Sequence, residues 1–564
     1  MKQDLKWWQK SIAYQVYPKS FYDSDGDGIG DLRGIIQKLD YIQELGTDLL
    51  YLNPICKSPM KDNGYDVSDY YEIDPMFGTT EDMKELIHEA DKRGIHVIMD
   101  MVLNHCSDQH EWFQQVLKDP EGEYADYFFL RKGEGENPPN NWRSIFGGSA
   151  WEKIPGSEYY YLHLFTKEQV DLNWDNPRLR EKMYRMMNYW LDLGVSGFRL
   201  DAVTYMKKKE GLPSFPADGP DGLVSVKHGT LNQQGLEAFL KEMKEKTYGK
   251  GDYFVIGEME DADVHSMQNF ISLKNGYFSC IFEVSHLSLG RKAPNYFWFE
   301  EEEWDPDELR DQLLNSQTVL CPDMWIATFL ECHDIPRAAD RLLREEGKNF
   351  YGFSMLGMMY LYLWGTPFIY QGQELGMRNF AFPELKDYDD CSTHNQYELA
   401  RAHGFTEAEA LKIAQKGSRD NARYPMPWNS GKNGGFTKGT PWLPVNPDHK
   451  EINVEKERED KNSLLSFYKK MIALKRSEEY SEVLATGKIT PFQREQKGIF
   501  AYTRSNDSQS LRVICNNQNE SCRIELPKAF RVLLNNHRCL EKKGKTIELL
   551  PYQAVLLEDL WDKV

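Results

Sequence analysis

The stretch IAYQVYPKSFYDSDGDGIGDLRGIIQKLDYIQELGTDLLYL, residues 12 to 52, changes period twice, and that change decides the fold. Ile12 to Tyr17 is apolar, carries the β-formers Ile, Val and Tyr, and shows no helical period. Leu32, Ile35, Ile36, Leu39 and Ile42 then recur on one helical face, and Gly46 supplies the stop. DLLYL, residues 48 to 52, returns to strand grammar. Further out, a second helix around Met83, Leu86, Ile87 and Ala90 leads into the strand HVIMDMV, residues 96 to 102. Strand, helix, strand, helix, strand predicts a parallel α/β architecture.

The alternation stops at His105. A Trp-, Tyr-, Gly- and Pro-rich stretch runs to Leu172, too long for an ordinary βα loop, and predicts a small domain inserted over 105–172. Asn176 and Pro177 then cap a helix bearing Met183, Met186, Met187 and Trp190 that ends at Gly194. Five more strands follow: GFRLD (197–201), YFVIGE (253–258), SCIFEV (279–284), WIATFLECHD (325–334) and PFIYQG (367–372). With the first three they make eight. No glycine-rich dinucleotide fingerprint follows the first strand, so a closed (β/α)8 TIM barrel is expected rather than an open doubly wound sheet. The barrel is expected over 1–104 and 173–485, with a long excursion at about 376–444 after strand eight; short strands from 486 to 564 predict a C-terminal antiparallel β-sandwich domain.

The chain has 564 residues and a formal charge of -20, which argues against nucleic acid or an anionic membrane as partner. Nine scattered cysteines without a CxxC spacing, and an N-terminus lacking an apolar signal core, predict a cytoplasmic protein with reduced thiols. Tyr351 to Tyr370 carries no charge and is long enough to span a bilayer, but Gly365, Thr366 and Pro367 break it into a buried helix and a short strand. No membrane partner is expected, and the protein is expected to be a monomer or weak homo-oligomer.

The loop after the first strand sets Asp23, Asp25, Asp27 and Asp31 among glycines. Counted as a helix-loop-helix calcium loop, it offers Ile29 as the carbonyl donor but has Gly34 where the closing bidentate Glu belongs, and its upstream flank is a strand. Either a divalent cation, Ca2+ ahead of Mg2+, neutralises these carboxylates, or the loop is a solvated acidic turn.

In such a barrel the C-terminal strand ends converge on one mouth. Here they bring Asp100 and His105 of DMVLNH, Arg199 and Asp201 of GFRLD, Glu258 of VIGE, and His333 and Asp334 of ECHD. A single strand-end Asp is usually a loop cap and a lone His a satisfied polar group. Several acids together repel unless a cation or a developing positive charge offsets them, and the oxocarbenium-like transition state of glycoside hydrolysis is such a charge.

The motifs DMVLNH, GFRLDAV, VIGEM and ECHDIPR, with QVYPKSF before them and QVDLNW (169–174) closing the insertion, stand in an order that resembles the α-amylase superfamily of glycoside hydrolases, within it the oligo-1,6-glucosidase and α-glucosidase group. The resemblance covers essentially the whole chain. It implies Asp201 as nucleophile, Glu258 as general acid/base and Asp334 as a third carboxylate gripping sugar hydroxyls. Arg199 would hold Asp201 ionised, and His105 and His333 would bind hydroxyls of the reacting sugar. In SPMKDNGYD, Asp62 resembles the residue gripping the terminal glucose and Tyr65 the platform beneath it; Arg423, in SRDNAR, resembles the partner of Asp62 that closes the pocket. A closed end implies an exo-acting, retaining α-glucosidase acting on short isomalto- or malto-oligosaccharides, without an organic cofactor. The acidic loop resembles the group's structural cation site, with Asp23, Asp25, Asp27, the Ile29 carbonyl and Asp31 as ligands.

Where the group often shows QPDLNW, NNHDQPR and RTPMQW, this chain has QVDLNW, ECHDIPR and RYPMPW, which leaves the acids intact and alters the aglycone surroundings. Ala202, where Val goes with α-1,6 preference, leans toward α-1,4 acceptance. Rival readings are a trehalose-6-phosphate hydrolase, a sucrose-active hydrolase or isomerase, and a catalytically silent binding relative. A phosphate handle would need a local cation cluster; Lys207, Lys208 and Lys209 are the candidates, read here as a solvated charge run.

Overall fold

The structure, a computed structural model, describes residues 5–133, 135–219, 221–260, 264–290 and 297–560. Eight parallel strands close into a barrel: β1 (Ala13–Val16), β2 (Leu49–Leu52), β3 (His96–Val102), β4 (Gly197–Asp201), β5 (Phe254–Gly257), β6 (Cys280–Phe282), β7 (Ile326–Thr328) and β8 (Thr366–Tyr370). Each is one of the strands expected from periodicity. Neighbours in sequence pair in register, and β8 returns to β1 through Ala13 opposite Phe368. These strands are covered on both faces, which is why they read as continuous apolar runs rather than alternating ones.

The crossovers are helical: α1 (Leu32–Leu45), α2 (Thr80–Asp91), α3 (Pro177–Leu193), α4 (Leu236–Lys246), α5 (Val264–Ile271), α6 (Pro306–Leu320), α7 (Phe350–Leu361) and α8 (Leu464–Arg476). Their ends obey local chemistry. Asp31 caps α1 by accepting from the Gly34 N–H, and α1 stops at Gly46, whose φ of 97° suits only a residue without Cβ. Asn176 caps α3 with Pro177 in the first turn, and Gly194 ends it at φ 115°. The uncharged run from Tyr351 to Tyr370 divides into most of α7 and the whole of β8; no helix of the described residues is long and apolar enough to cross a membrane.

Between β3 and α3 the insertion forms a helix, Glu111–Lys118, and a three-stranded antiparallel sheet of Leu130–Lys132, Tyr159–Leu162 and Trp151–Lys153. Its boundary at 172 needs an addition. The segment after β4, from about 206 to 232, folds onto the same unit: Val224–Ser225 pairs in parallel with Trp142–Arg143, and Arg143 bonds Asp218 at 2.6 Å and Asp221 at 2.5 Å. Trp142, Trp151, Tyr160, Leu212, Val224 and Val226 share one apolar cluster with Ala202 and Tyr205. A two-residue strand and irregular turns leave no periodic trace, so only tertiary pairing reveals this second piece.

The excursion after β8 carries an α-hairpin, Cys391–Ala402 and Glu407–Gly417, and a short turn of helix, Asp420–Arg423. At the C-terminus a five-stranded antiparallel sheet, ordered Lys488–Pro491, Ile499–Ser505, Ser510–Asn516, Ala554–Asp559, Phe530–Asn535, faces a three-stranded one. Ile499, Ala501, Ile514, Val555 and Leu557 point between the sheets at Ile524, Leu526, Ile547 and Leu549. The alternate residues Phe500, Tyr502, Val513, Cys515 and Leu556 join the barrel core instead, as the two-residue period of a strand requires.

Candidate active site

Arg199 organises the mouth. From β4 its Nη1 reaches Asp201 at 2.6 Å and Asp100, on β3, at 2.9 Å, while Nη2 reaches Glu258, just past β5, at 2.7 Å. Arg199 and Asp201 alternate on the same face of β4, and the guanidinium and both flanking strands bring the two carboxyl groups to one side of the pocket. Asp100 accepts in addition from the Tyr51 and Tyr65 hydroxyls, at 2.7 and 2.9 Å. One positive charge therefore serves three carboxyl groups. Burial drives the Asp201 carboxyl well above the usual carboxylate range; Arg199 opposes the rise, and the charges of Glu258 and Asp100 add to it. Arg199 favours the ionised form of Asp201, and it shares its charge with Asp100 and Glu258. Ala202, next in the chain, takes φ 48° and ψ 31° and donates its N–H to Glu258 Oε2 at 2.9 Å. A β-branched side chain would be strained there.

A second group is formed by Asp62, His333, Asp334, Arg419 and Arg423. Asp62 accepts from Arg419 Nη2 at 3.0 Å and from the Gln169 amide at 3.1 Å. Asp334 accepts from Arg423 Nη2 at 2.9 Å and lies 2.9 Å from His333 Nε2, with Arg419 Nη1 at 3.4 Å. Burial works against ionisation of Asp334, but His333, Arg419 and Arg423 outweigh it and hold the carboxyl well below the usual range. Arg419 is itself fixed by Asp390, 2.7 Å away, and its guanidinium stands over the Phe146 ring at 5.3 Å. The expected partner of Asp62 was Arg423; the direct partner is Arg419, and Arg423 instead bonds Asp334 and the His333 carbonyl, at 2.9 Å each. Two arginines four apart lie on one side of a helical turn, so spacing alone does not choose between them.

Tyr65 lies under this group, its ring stacked on His333 at 5.6 Å between centroids and 8° between planes. His105 is buried with Nε2 at 3.1 Å from both the Tyr65 carbonyl and the Gln169 amide; burial, and then Lys208, push its imidazole down to about 3, so it is neutral at neutral pH. Phe165 of the insertion covers it at 5.0 Å.

Of Lys207, Lys208 and Lys209, read as a solvated run, only Lys209 is exposed. Lys208 is buried and bonds Asp171 at 2.5 Å, Asn104 at 2.8 Å and the Tyr205 carbonyl at 2.6 Å, tying β3, the insertion and the loop after β4 together. Lys207 pairs with Asp175 at 2.5 Å, and Lys209 stands over the Phe215 ring at 5.4 Å. A lysine that serves as an internal cation looks in sequence like any surface lysine; the one signal was a buried partner, Asp171 of QVDLNW. Glu331, in ECHDIPR, is likewise internal, bonded at 3.0 Å to Arg337.

Apart from these residues, Asp23, Asp25 and Asp27 bring carboxylate oxygens within 4.8 Å of one another. Among the described residues none of them is in an ion pair with Lys or Arg; Asp23 accepts from the N–H groups of Asp25, Gly26 and Gly28. Gly28, at φ 101°, lets the loop pass against the Thr440 carbonyl, where a Cβ would lie 1.9 Å from that oxygen. Asp31 stands outside the trio: its Oδ1 accepts from Gly34 N–H and the Ser24 hydroxyl, its Oδ2 from Ser24 N–H. Ile29 donates its N–H to Asp27 at 2.8 Å. The carboxylate trio suits a hard, oxygen-seeking cation such as Ca2+ or Mg2+.

Two carboxyl groups on one guanidinium at the mouth of a barrel are the kind of pair that glycoside hydrolysis uses. The family described as Alpha amylase, catalytic domain, matches residues 15–486, and the chain belongs to it: it is an α-amylase-family glycoside hydrolase. It is 39% identical over 556 residues to the oligo-1,6-glucosidase of Parageobacillus thermoglucosidasius, covering 97% of this chain and 98% of that one. Among solved structures, the trehalose-6-phosphate hydrolase of Bacillus licheniformis superposes with a TM-score of 0.90 at 37% identity, covering 98% and 100% of the two chains. The isomaltulose synthase of Klebsiella sp. LX3 superposes at 0.92 with 35% identity, covering 99% and 100%.

Proposed function

We propose that this chain is a retaining, exo-acting α-glucosidase that removes terminal, non-reducing α-linked glucose from short isomalto- and malto-oligosaccharides. The observation that supports the reading is the chain of ion pairs from Asp62 through Arg419 to Asp390, at 3.0 and 2.7 Å, which we read as a closed end behind the reacting sugar. Asp334, kept ionised, accepts hydroxyl hydrogens of that sugar, and the neutral His105 adds a polar contact.

Glu258 gives its proton to the glycosidic oxygen while the Asp201 carboxylate attacks the anomeric carbon and forms a covalent glucosyl ester. A water then enters, Glu258 takes its proton, and the ester is cleaved with the α configuration restored. Arg199 stabilises both carboxylates without leaving the site, since it touches both at 2.6 and 2.7 Å. We further propose that Asp23, Asp25 and Asp27 hold a structural Ca2+, with Mg2+ as the alternative; the absence of any Lys or Arg partner among the described residues supports it.

The experiment is a digestion panel of isomaltose, maltose, panose, sucrose, trehalose and trehalose-6-phosphate with products resolved by chromatography. Release of glucose from isomaltose or maltose, and of glucose alone from the ends of longer oligomers, is expected. Internal cleavage of maltoheptaose would overturn the exo reading.

A further inference from the structure

When Glu258 protonates the glycosidic oxygen, the leaving group departs on the Glu258 side of the pocket. The lip there is built around Glu260, two residues further along the same loop. Its Oε2 accepts from the Tyr205 hydroxyl at 2.9 Å and forms a close ion pair with Lys227, and the Asn232 amide holds its carbonyl at 3.2 Å. Tyr205 ends the short turn Val203–Tyr205 directly after Asp201, and Lys227 begins the turn Lys227–Thr230 of the segment that folds onto the insertion. Three loops thus meet on one carboxylate beside the reacting pair, and 45% of the Glu260 side chain and 39% of that of Lys227 stay in contact with solvent.

Among the described residues, three lysines of this region are each paired with a carboxylate: Lys227 with Glu260, Lys207 with Asp175 and Lys208 with Asp171. A phosphate monoester, with a charge of about −1.5 to −2 at neutral pH, would approach the Glu260 carboxylate and a neutralised lysine; a neutral sugar meets hydrogen-bonding groups and no net repulsion. We infer that Glu260, by neutralising Lys227, is a specificity-determining residue that selects neutral over phosphorylated leaving groups. The inference rests on the α-glucosidase reading above and deepens it.

The test is the ratio of kcat/KM for trehalose-6-phosphate to that for trehalose and for maltose, in the wild-type enzyme, Glu260→Gln and Lys227→Met, with circular dichroism to confirm folding. Glu260→Gln removes a negative charge and frees Lys227, so the phosphorylated-to-neutral ratio is expected to rise about tenfold, the effect of one charge some 10 Å away at an effective dielectric near 20. The gain is expected to shrink between about 0.01 M and 1 M salt. Lys227→Met leaves Glu260 unneutralised and is expected to lower the ratio by a similar factor, which keeps the inference testable should Glu260→Gln fail to fold. Wild-type enzyme inert on every neutral glucoside overturns the α-glucosidase reading itself. Wild-type enzyme active on maltose, with a ratio that neither folded variant moves in its stated direction, overturns the selection by Glu260 alone.

Discussion

At the blind end of the pocket Asp62, Arg419 and Asp390 are buried and bonded at 2.7 to 3.0 Å, whereas at the lip Glu260 and Lys227 leave 45% and 39% of their side chains in water. The chemistry is the same, carboxylate against cation, but the cost of changing it is not. Taking one partner from a buried pair strands a charge and costs about 3 to 5 kcal/mol. An exposed pair is worth about 0.2 to 1 kcal/mol, screened further by salt. The Asp62 end is therefore fixed by stability, while the lip can be rewritten at little cost to the fold. That difference accords with relatives that keep the fold at TM-scores of 0.90 and 0.92 yet carry the names of a trehalose-6-phosphate hydrolase and an isomaltulose synthase.

The comparison is open to attack from several sides. The largest expected effect is that of Asp201→Asn, which removes the nucleophile: turnover should vanish on every glucoside, while the melting temperature holds or rises, because the carboxyl it replaces is held against its ionisation by burial. Rates and thermal melts on the same preparation check both halves. Glu258→Gln should lose about 10²- to 10⁴-fold on maltose and far less on an aryl glucoside whose leaving group needs no proton; equal losses on the two substrates would count against Glu258 as the acid. Next in size, Arg419→Met should destabilise the protein by about 3 to 5 kcal/mol in urea unfolding, against less than about 1 kcal/mol for Lys227→Met. Similar costs for the two would erase the distinction between blind end and lip.

A third setting sharpens it. Glu374, just past β8, is buried, accepts the Tyr14 and Tyr41 hydroxyls at 2.8 and 2.5 Å, and has no ion-pair partner among the described residues. Burial raises its carboxyl to about 7 against opposition from the two tyrosines. Between the unfolded value near 4.5 and about 7 the folded state binds the extra proton, so this group costs stability as pH rises through that window and levels off above it. Glu374→Gln should flatten the dependence, gaining up to about 3 kcal/mol on the wild type at pH 8 and less than about 1 kcal/mol at pH 5. Urea midpoints at the two pH values decide it. Smallest is the acidic loop: a structural ion at a hundredfold excess over Kd adds about 2.7 kcal/mol, so a chelator should lower the melting temperature while the initial rate below the shifted transition survives. A reversible collapse of rate with the fold intact would give the ion a part in catalysis.

Periodicity located all eight barrel strands because each one is sealed on both faces and must be apolar throughout. The strand-end motifs located Asp201, Glu258, Asp334, Arg199 and both histidines because a barrel leaves strand ends nowhere to point but the mouth. What stayed hidden depends on pairing across the chain. Arg419 and Arg423 are equivalent on their own turn until Asp62 and Asp390 choose between them. Lys208 is an interior cation only because Asn104 and Asp171 converge on it from two other segments. The segment from 206 to 232 belongs to the insertion through a two-residue strand that carries no period.

The claim beneath all of this is double displacement by Asp201 and Glu258. The most direct measurement is the anomeric proton signal of the first glucose released from maltose, recorded by NMR before mutarotation sets in. The account predicts α-glucose, the outcome of two inversions at the anomeric carbon. Initial β-glucose would mean a single displacement by water, with Asp201 acting as a base and no covalent intermediate, and would contradict it.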